Sequence, residues 1–159
     1  MKRRTFVKNG VLFSSGLLLA GRAKPGAAAQ VAQVKGGSPY EITRRAVDEI
    51  GGMGKIISRG DVVMVKPNIG WNRTVEQAAC TNPEVLRAVI ELAFGAGAKK
   101  VVLMDNTCHK AEDCYQRSGV EAMARKLGAE VRYCDESRLV AHDFKGEILS
   151  KWLVFRDFL

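Results

Sequence analysis

Gly60-Asp61-Val62-Val63-Met64-Val65-Lys66-Pro67-Asn68 is the stretch that decides the fold. Gly60-Asp61 reads as a turn, and Val62 to Val65 as an unbroken apolar run. A half-exposed strand alternates apolar with polar residues, so an unbroken run predicts a strand buried on both faces, as in a parallel sheet. The pattern returns at Val101-Val102-Leu103-Met104, and a third strand is expected in Ala129 to Cys134, centred on Glu130 to Tyr133. Helical signals separate them. Asn82-Pro83-Glu84 opens a helix with Val85, Val89, Ile90, Leu92 and Ala93 inside, ended by Gly95 or Gly97. A second helical stretch runs from about Ala111 to Leu127, broken near Ser118-Gly119. Upstream, Ser38-Pro39-Tyr40-Glu41 is a capping signature, followed by Ile42, Ala46, Val47 and Ile50 at helical spacing. Trp152 to Phe155 is a candidate fourth strand. This βαβ rhythm predicts an α/β fold, a three-layer Rossmann-like parallel sheet with flanking helices and right-handed crossovers.

The first 29 residues have a different character. Lys2-Arg3-Arg4-Thr5-Phe6-Val7-Lys8 is a paired-arginine block, Gly10 to Gly21 carries no charge, and Ala27-Ala28-Ala29 has the small-residue form of a cleavage site. These are the parts of a secretory signal, and the adjacent arginines resemble a twin-arginine export signal. Lys2 and Val7 depart from its usual residues. The apolar run is far short of the roughly 20 residues that span a bilayer. The reading is a cleaved signal over residues 1–29, a flexible leader over 30–37 and an α/β domain over 38–159. It places the mature chain in the periplasm or another extracytoplasmic space, with the export machinery as a partner and no stable membrane span. Discarding the six basic residues of that segment lowers the formal net charge from +8 to +2. Nucleic-acid binding needs basic charge clustered on the folded surface, and is excluded.

In an open parallel sheet, ligands bind beyond the carboxyl ends of the strands. After the first strand come Lys66, Asn68, Trp71, Arg73 and Cys80; after the second, Asp105, Asn106, Cys108, His109 and Cys114; after the third, Cys134. Lys66 and Asp105 are the candidate catalytic or anion-contacting pair, and Asn68, Asn106 and Arg73 the candidate ligand contacts. Cys80, Cys108, Cys114 and Cys134 are the candidate metal ligands, for an iron–sulfur cluster or a transition metal. The Cys108–Cys114 spacing matches no standard zinc or ferredoxin pattern. In an oxidising compartment the same thiols equally permit one or two disulfides, or remain free. His109 reads as a surface residue in an exposed loop, and His142 has no constellation around it.

The blocks GDVVMVKPN (60–68), TNPEV (81–85), GAGAKKVV (95–102) and MDN (104–106), in this order, resemble the family called domain of unknown function 362 over about Ser38 to Leu159. The resemblance implies an exported protein, since twin-arginine signals are usual among members. It also implies an iron–sulfur association, since some members are fused to ferredoxin-like modules, although this chain has no ferredoxin cysteine run. Members usually continue beyond a segment like Trp152 to Leu159, so a fragment of a larger domain is expected. The leading functional expectation is a metal- or iron–sulfur-associated redox role, with a possible redox partner. The alternatives are an enzyme or binding module for a small anionic ligand at the sheet's carboxyl edge, and a disulfide-stapled fragment without independent activity.

Overall fold

The computed structural model describes residues 31–159. The export-signal reading of residues 1–29 lies outside the described residues.

The first helix, α1 (Pro39–Glu49), opens on a capping box. The Ser38 hydroxyl accepts from the Glu41 amide at 3.3 Å, and the Glu41 carboxylate accepts from the Ser38 amide at 2.8 Å. None of its residues is buried. Ile42, Ala46 and Val47 are half-buried, while Ile50 is exposed. Its contact with the next helix is largely polar: Tyr40 donates to Glu91, and the Arg87 guanidinium lies 4.7 Å from the Tyr40 ring centre.

Strand β1 (Val62–Val65), helix α2 (Pro83–Gly95), strand β2 (Lys100–Leu103), the short helices α3 (Ala111–Arg117) and α4 (Val120–Lys126), and strand β3 (Glu130–Val131) follow. The three strands form one sheet in the order β1-β2-β3, and both pairings are parallel. Val63 pairs with Val101, Val65 with Leu103, and Leu103 with Val131. These aligned residues meet Leu86, Ile90 and Ala93 of α2 and Val120 and Ala124 of α4 in one apolar core. The buried stripe of α2 is Leu86, Ala88, Ile90 and Ala93. Val85, Val89 and Leu92, expected inside, are only half-buried.

Two glycines are required by backbone shape. Gly119 takes φ 72° between α3 and α4, which is the expected break. Gly97 takes φ 101° after α2, where a Cβ would sit 3.2 Å from the Arg59 backbone.

The third strand is shorter than expected. Arg132 still donates its amide to the Leu103 carbonyl at 3.0 Å, but β2 ends there and the ladder ends with it. The fourth strand forms, yet not in the parallel sheet. Strand β5 (Lys151–Phe155) pairs antiparallel with β4 (Leu139–Asp143) as a separate hairpin. The linker between β3 and β4 holds one 3-10 turn, Glu136–Arg138. A parallel pairing needs a crossover of a dozen or more residues; residues 144–150, which join β4 to β5, are too few for one, so the two strands pair antiparallel.

The outer edge of β1 has no partner strand among the described residues. A groove of about 550 Å³ runs along it, lined by Met53, Ile56, Val63, Val65, Val89 and, at the carboxyl end of the strand, Lys66.

Candidate functional site at the carboxyl edge

Asp105 follows β2 directly, and the fold buries it to 4% exposure. A carboxylate so placed needs partners for both oxygens. Lys66, one residue past β1, supplies Nζ at 2.6 Å from Oδ1, and the Ile69 amide donates to Oδ2 at 2.6 Å. Adjacent parallel strands in register put their next residues side by side, which is why residues far apart in sequence meet here. Both Asp105 oxygens are thus engaged, one of them by Lys66. The Lys66 side chain remains 60% exposed, so its ammonium keeps donors for another group.

Tyr115 closes the site from below. Its hydroxyl accepts from the Asp105 amide at 2.6 Å and donates to the Asp105 carbonyl at 3.2 Å. Burial pushes its phenol well above the ordinary tyrosine range. Tyr133 stacks edge-on against it with ring centres 5.0 Å apart. The Cys134 thiol lies in the same neighbourhood: burial, and then the Asp105 carboxylate, push it up to about 11. It is a protonated thiol at neutral pH.

The long loop after Lys66 is laced together by its own polar groups. Asn68 accepts from the Gly70 amide at 3.2 Å and donates to the Ala79 carbonyl at 3.3 Å, while its backbone carbonyl accepts from the Thr81 amide at 2.8 Å. The Asn68 side chain therefore ties the two limbs of the loop together. Arg73 is exposed and donates to the Asn72 carbonyl at 2.9 Å. Asn106 is exposed beside Asp105.

Cys80 and Cys108 meet at the segment Gly70–Trp71. Cys80 donates its thiol to the Trp71 carbonyl at 3.3 Å. The Cys108 amide donates to the Gly70 carbonyl at 2.9 Å, and its sulfur lies 3.7 Å from where a Gly70 Cβ would stand. Cys114 is buried, and desolvation raises its thiol; Cys80 and Cys108 are near enough to raise it further. His109 belongs to this group and is not simply a surface residue. Its Nδ1 accepts from the Asn72 amide at 3.2 Å, and its ring meets Trp71 edge-on at 5.5 Å. That bond occupies the Nδ1 lone pair. The Asn72 Oδ1 is buried without a donor.

All four cysteines are free thiols. Cys114 lies within electrostatic range of Cys80 and Cys108, while Cys134 lies with Asp105 and Lys66. Among the described residues, no three His, Cys, Asp or Glu side chains are gathered closely enough to hold a metal ion. An iron–sulfur cluster or a transition metal would have to draw these ligands together as it bound.

Tyr115, Asn72 and Asp157 are the site and support residues that the sequence did not single out. Tyr115 was hidden because a tyrosine beside Cys114 on a short helix looks like ordinary core. Asp157, whose side chain is 3% exposed, pairs with Arg138 at 2.9 Å and with Arg132, and so pins the end of the hairpin to the residue after β3. No local signal in the sequence marks it.

The model of a family described as Domain of unknown function (DUF362) matches residues 63–159. The chain belongs to the DUF362 family. The match begins inside β1 and takes in the whole carboxyl edge described above, so Lys66, Asp105 and all four cysteines lie within the family region. A thylakoid-associated protein of Synechocystis sp. is 36% identical to this DUF362 chain over 63 residues, which is 40% of this chain and 20% of that protein. The matched stretch is thus a small part of that relative. No solved structure matches. Among the described residues, no helix is long and apolar enough to cross a membrane.

Proposed function

We propose that the carboxyl edge of this DUF362 domain binds a small ligand with an anionic head and an apolar body. One observation carries the reading: Lys66 is held by the buried Asp105 yet largely exposed, and it stands at the end of the groove along β1. A pocket of about 550 Å³ falls within the range of small-molecule sites. Its walls of Met53, Ile56, Val63 and Val89 suit an aliphatic body, and an ammonium at its end suits a carboxylate or phosphate. Asp105 is the positioning residue, because it fixes Lys66 while its own oxygens are occupied. Arg73 and Asn106 are exposed on the same edge and supply further polar contacts.

The test is a titration with short-chain carboxylates of increasing length and with inorganic phosphate, followed by amide chemical shifts. Perturbations should gather at Lys66 and along β1, and affinity should grow with chain length. In Lys66→Gln the head-group dependence should vanish. Carboxylates that perturb neither Lys66 nor β1 would sink the proposal.

The setting proposed for this activity is extracytoplasmic, supported by the paired arginines and the A-x-A segment of residues 1–29. Replacing Arg3 and Arg4 together by Lys should hold the precursor in the cytoplasm; undiminished export of that variant would remove the twin-arginine reading. The redox reading is favoured by a separate observation: Cys80 and Cys108 stand against Gly70–Trp71, with Cys114 near enough to feel both. Metal analysis of protein purified before export tests whether these thiols also serve as soft ligands.

A further inference from the structure

We propose that Cys80 and Cys108 form a dithiol–disulfide couple that exchanges with small-molecule disulfides and, when oxidised, clamps the loop after β1 to the loop after β2. The geometry sets this pair apart from the other thiols. Both stand against the same short segment, Cys80 on the Trp71 carbonyl at 3.3 Å and Cys108 on the Gly70 carbonyl through its amide at 2.9 Å. The two loops are already joined there by the Cys108–Gly70 backbone bond, and the Cys108 sulfur lies 3.7 Å from where a Gly70 Cβ would stand, so both sulfurs lie against the same two residues, Gly70 and Trp71. Cys114 sits beneath them, fully buried. Cys134 lies with Tyr115, Lys66 and Asp105 instead, outside the group at Gly70–Asn72.

Exposure assigns the order of events. Cys108 is exposed and Cys80 half-buried. The exposed thiol, as thiolate, attacks one sulfur of an incoming disulfide RS–SR, and the RS⁻ that leaves takes up a proton as RSH. Cys80 then gives up its proton and attacks the Cys108 sulfur of the mixed disulfide, releasing the second RSH. In total, two protein thiols and one RS–SR become one Cys80–Cys108 bridge and two RSH. Two electrons pass from the protein to the small disulfide. The Cys80 thiol gives up its bond to Trp71, and the cross-link restrains the segment that separates Lys66 from its neighbours on the edge.

The test uses the full chain in glutathione buffers of stepped redox ratio, with alkylation of remaining thiols and non-reducing peptide mapping. The free-thiol count should fall from four to two per chain, with Cys80 and Cys108 in one linked peptide and Cys114 and Cys134 alkylated. Cys114→Ser should form the same bridge. Cys80→Ser should instead accumulate a glutathione adduct on Cys108. The inference does not rest on the ligand-binding role of Lys66, and Lys66→Gln should oxidise as the native chain does. Alkylation of both Cys80 and Cys108 at the oxidising limit overturns the proposal. So do separate glutathione adducts on the two, or a bridge from either one to Cys114 or Cys134.

Discussion

The parallel sheet and the C-terminal hairpin are built from similar residues and treat them in opposite ways. Val101 and Leu103 in β2 are completely buried, while Trp152 and Leu153 in β5 are 63% and 56% exposed. The difference lies in what covers each strand. The central strand β2 has a neighbour on each side and helices α2 and α4 against its core-facing side chains. The hairpin has only its own two strands, and an isolated two-stranded hairpin is marginal in water. It is tethered by charge: Asp157 joins Arg138 and Arg132, and Arg132 also pairs with Glu130 of β3. Apolar content therefore does not by itself specify burial in this chain; what packs against each strand does.

The strongest way to break the comparison is to open a cavity in the sheet core. Leu103→Ala or Ile90→Ala removes a fully buried side chain and should cost about 2–5 kcal/mol of unfolding free energy in a denaturant titration. A cost near that of a surface substitution would mean that the core does not hold the sheet as described.

Tyr115→Phe probes the polar floor of the site. It leaves the ring contact with Tyr133 but strips the Asp105 amide of its acceptor. A buried donor left unsatisfied costs about 1–3 kcal/mol, and thermal unfolding should report a loss in that range. The same variant should loosen the Lys66–Asp105 pair, seen as broadened amide signals at Ile69.

Acid should act on the charge tether before it touches the core. Glu130 falls from an ordinary 4.5 to about 2, first through its bond to Arg132 and then through Lys100. Asp157 is likewise held below the ordinary carboxylate range, first by Arg138. A carboxylate whose folded pKa is depressed contributes stability that is complete above its unfolded pKa and lost as pH falls through its folded one. Melting temperature should therefore drop as pH falls from about 4.5 towards about 2, and Glu130→Gln should flatten part of that slope. An unchanged slope in this variant would show that the ion pairs do not carry the tether. Glu130 is 38% exposed, so salt should weaken the effect as well.

The smallest effect belongs to the hairpin surface. Trp152→Ala should shift unfolding by no more than about 0.5 kcal/mol, as surface substitutions usually do, despite the size of the side chain lost. A loss comparable to that of Leu103→Ala would erase the contrast between the two regions.

Much of the parallel unit is legible one residue at a time. The run Val62–Val65 is a strand, the Asn82 cap opens α2, and Gly119 divides α3 from α4. Each depends on neighbours within a few positions: an unbroken apolar run, a side-chain oxygen at a helix start, a left-handed turn. The burial of β1 on both faces did not follow: Val62 is exposed and Val63 to Val65 are half-buried, because the outer edge of β1 has no partner strand among the described residues. The apolar face of α2 was read less well, with Leu86 and Ala88 taking positions expected of Val85 and Val89. A helix has several faces of similar apolarity here, and the one that is buried depends on where the sheet lies. The convergence of Lys66 with Asp105 was readable because parallel strands carry their following residues to one edge. The partners within that edge were not. Asn68 serves its own loop, His109 faces Asn72, and Cys134 separates from the other thiols. Those choices depend on loop paths of many residues, which hydrophobic periodicity does not encode.

By itself, then, the sequence determined the βαβ order, the parallel sense of the sheet, the family and the edge on which polar chemistry collects. These follow from short-range pattern, from the handedness of crossovers and from the quoted blocks. Only the tertiary structure decided that Asp105 is the buried holder of Lys66, that Tyr115 underlies it, and that the last strand turns back into a hairpin. It also decided that Cys80 and Cys108 share the segment Gly70–Trp71 with Cys114 near both, while Cys134 stands with Asp105. The reason is that each of these is a pairing across distant parts of the chain. Which pairing forms is set by packing, by the reach of a linker and by the need of a buried charge for a partner, and those quantities exist only once the chain has folded.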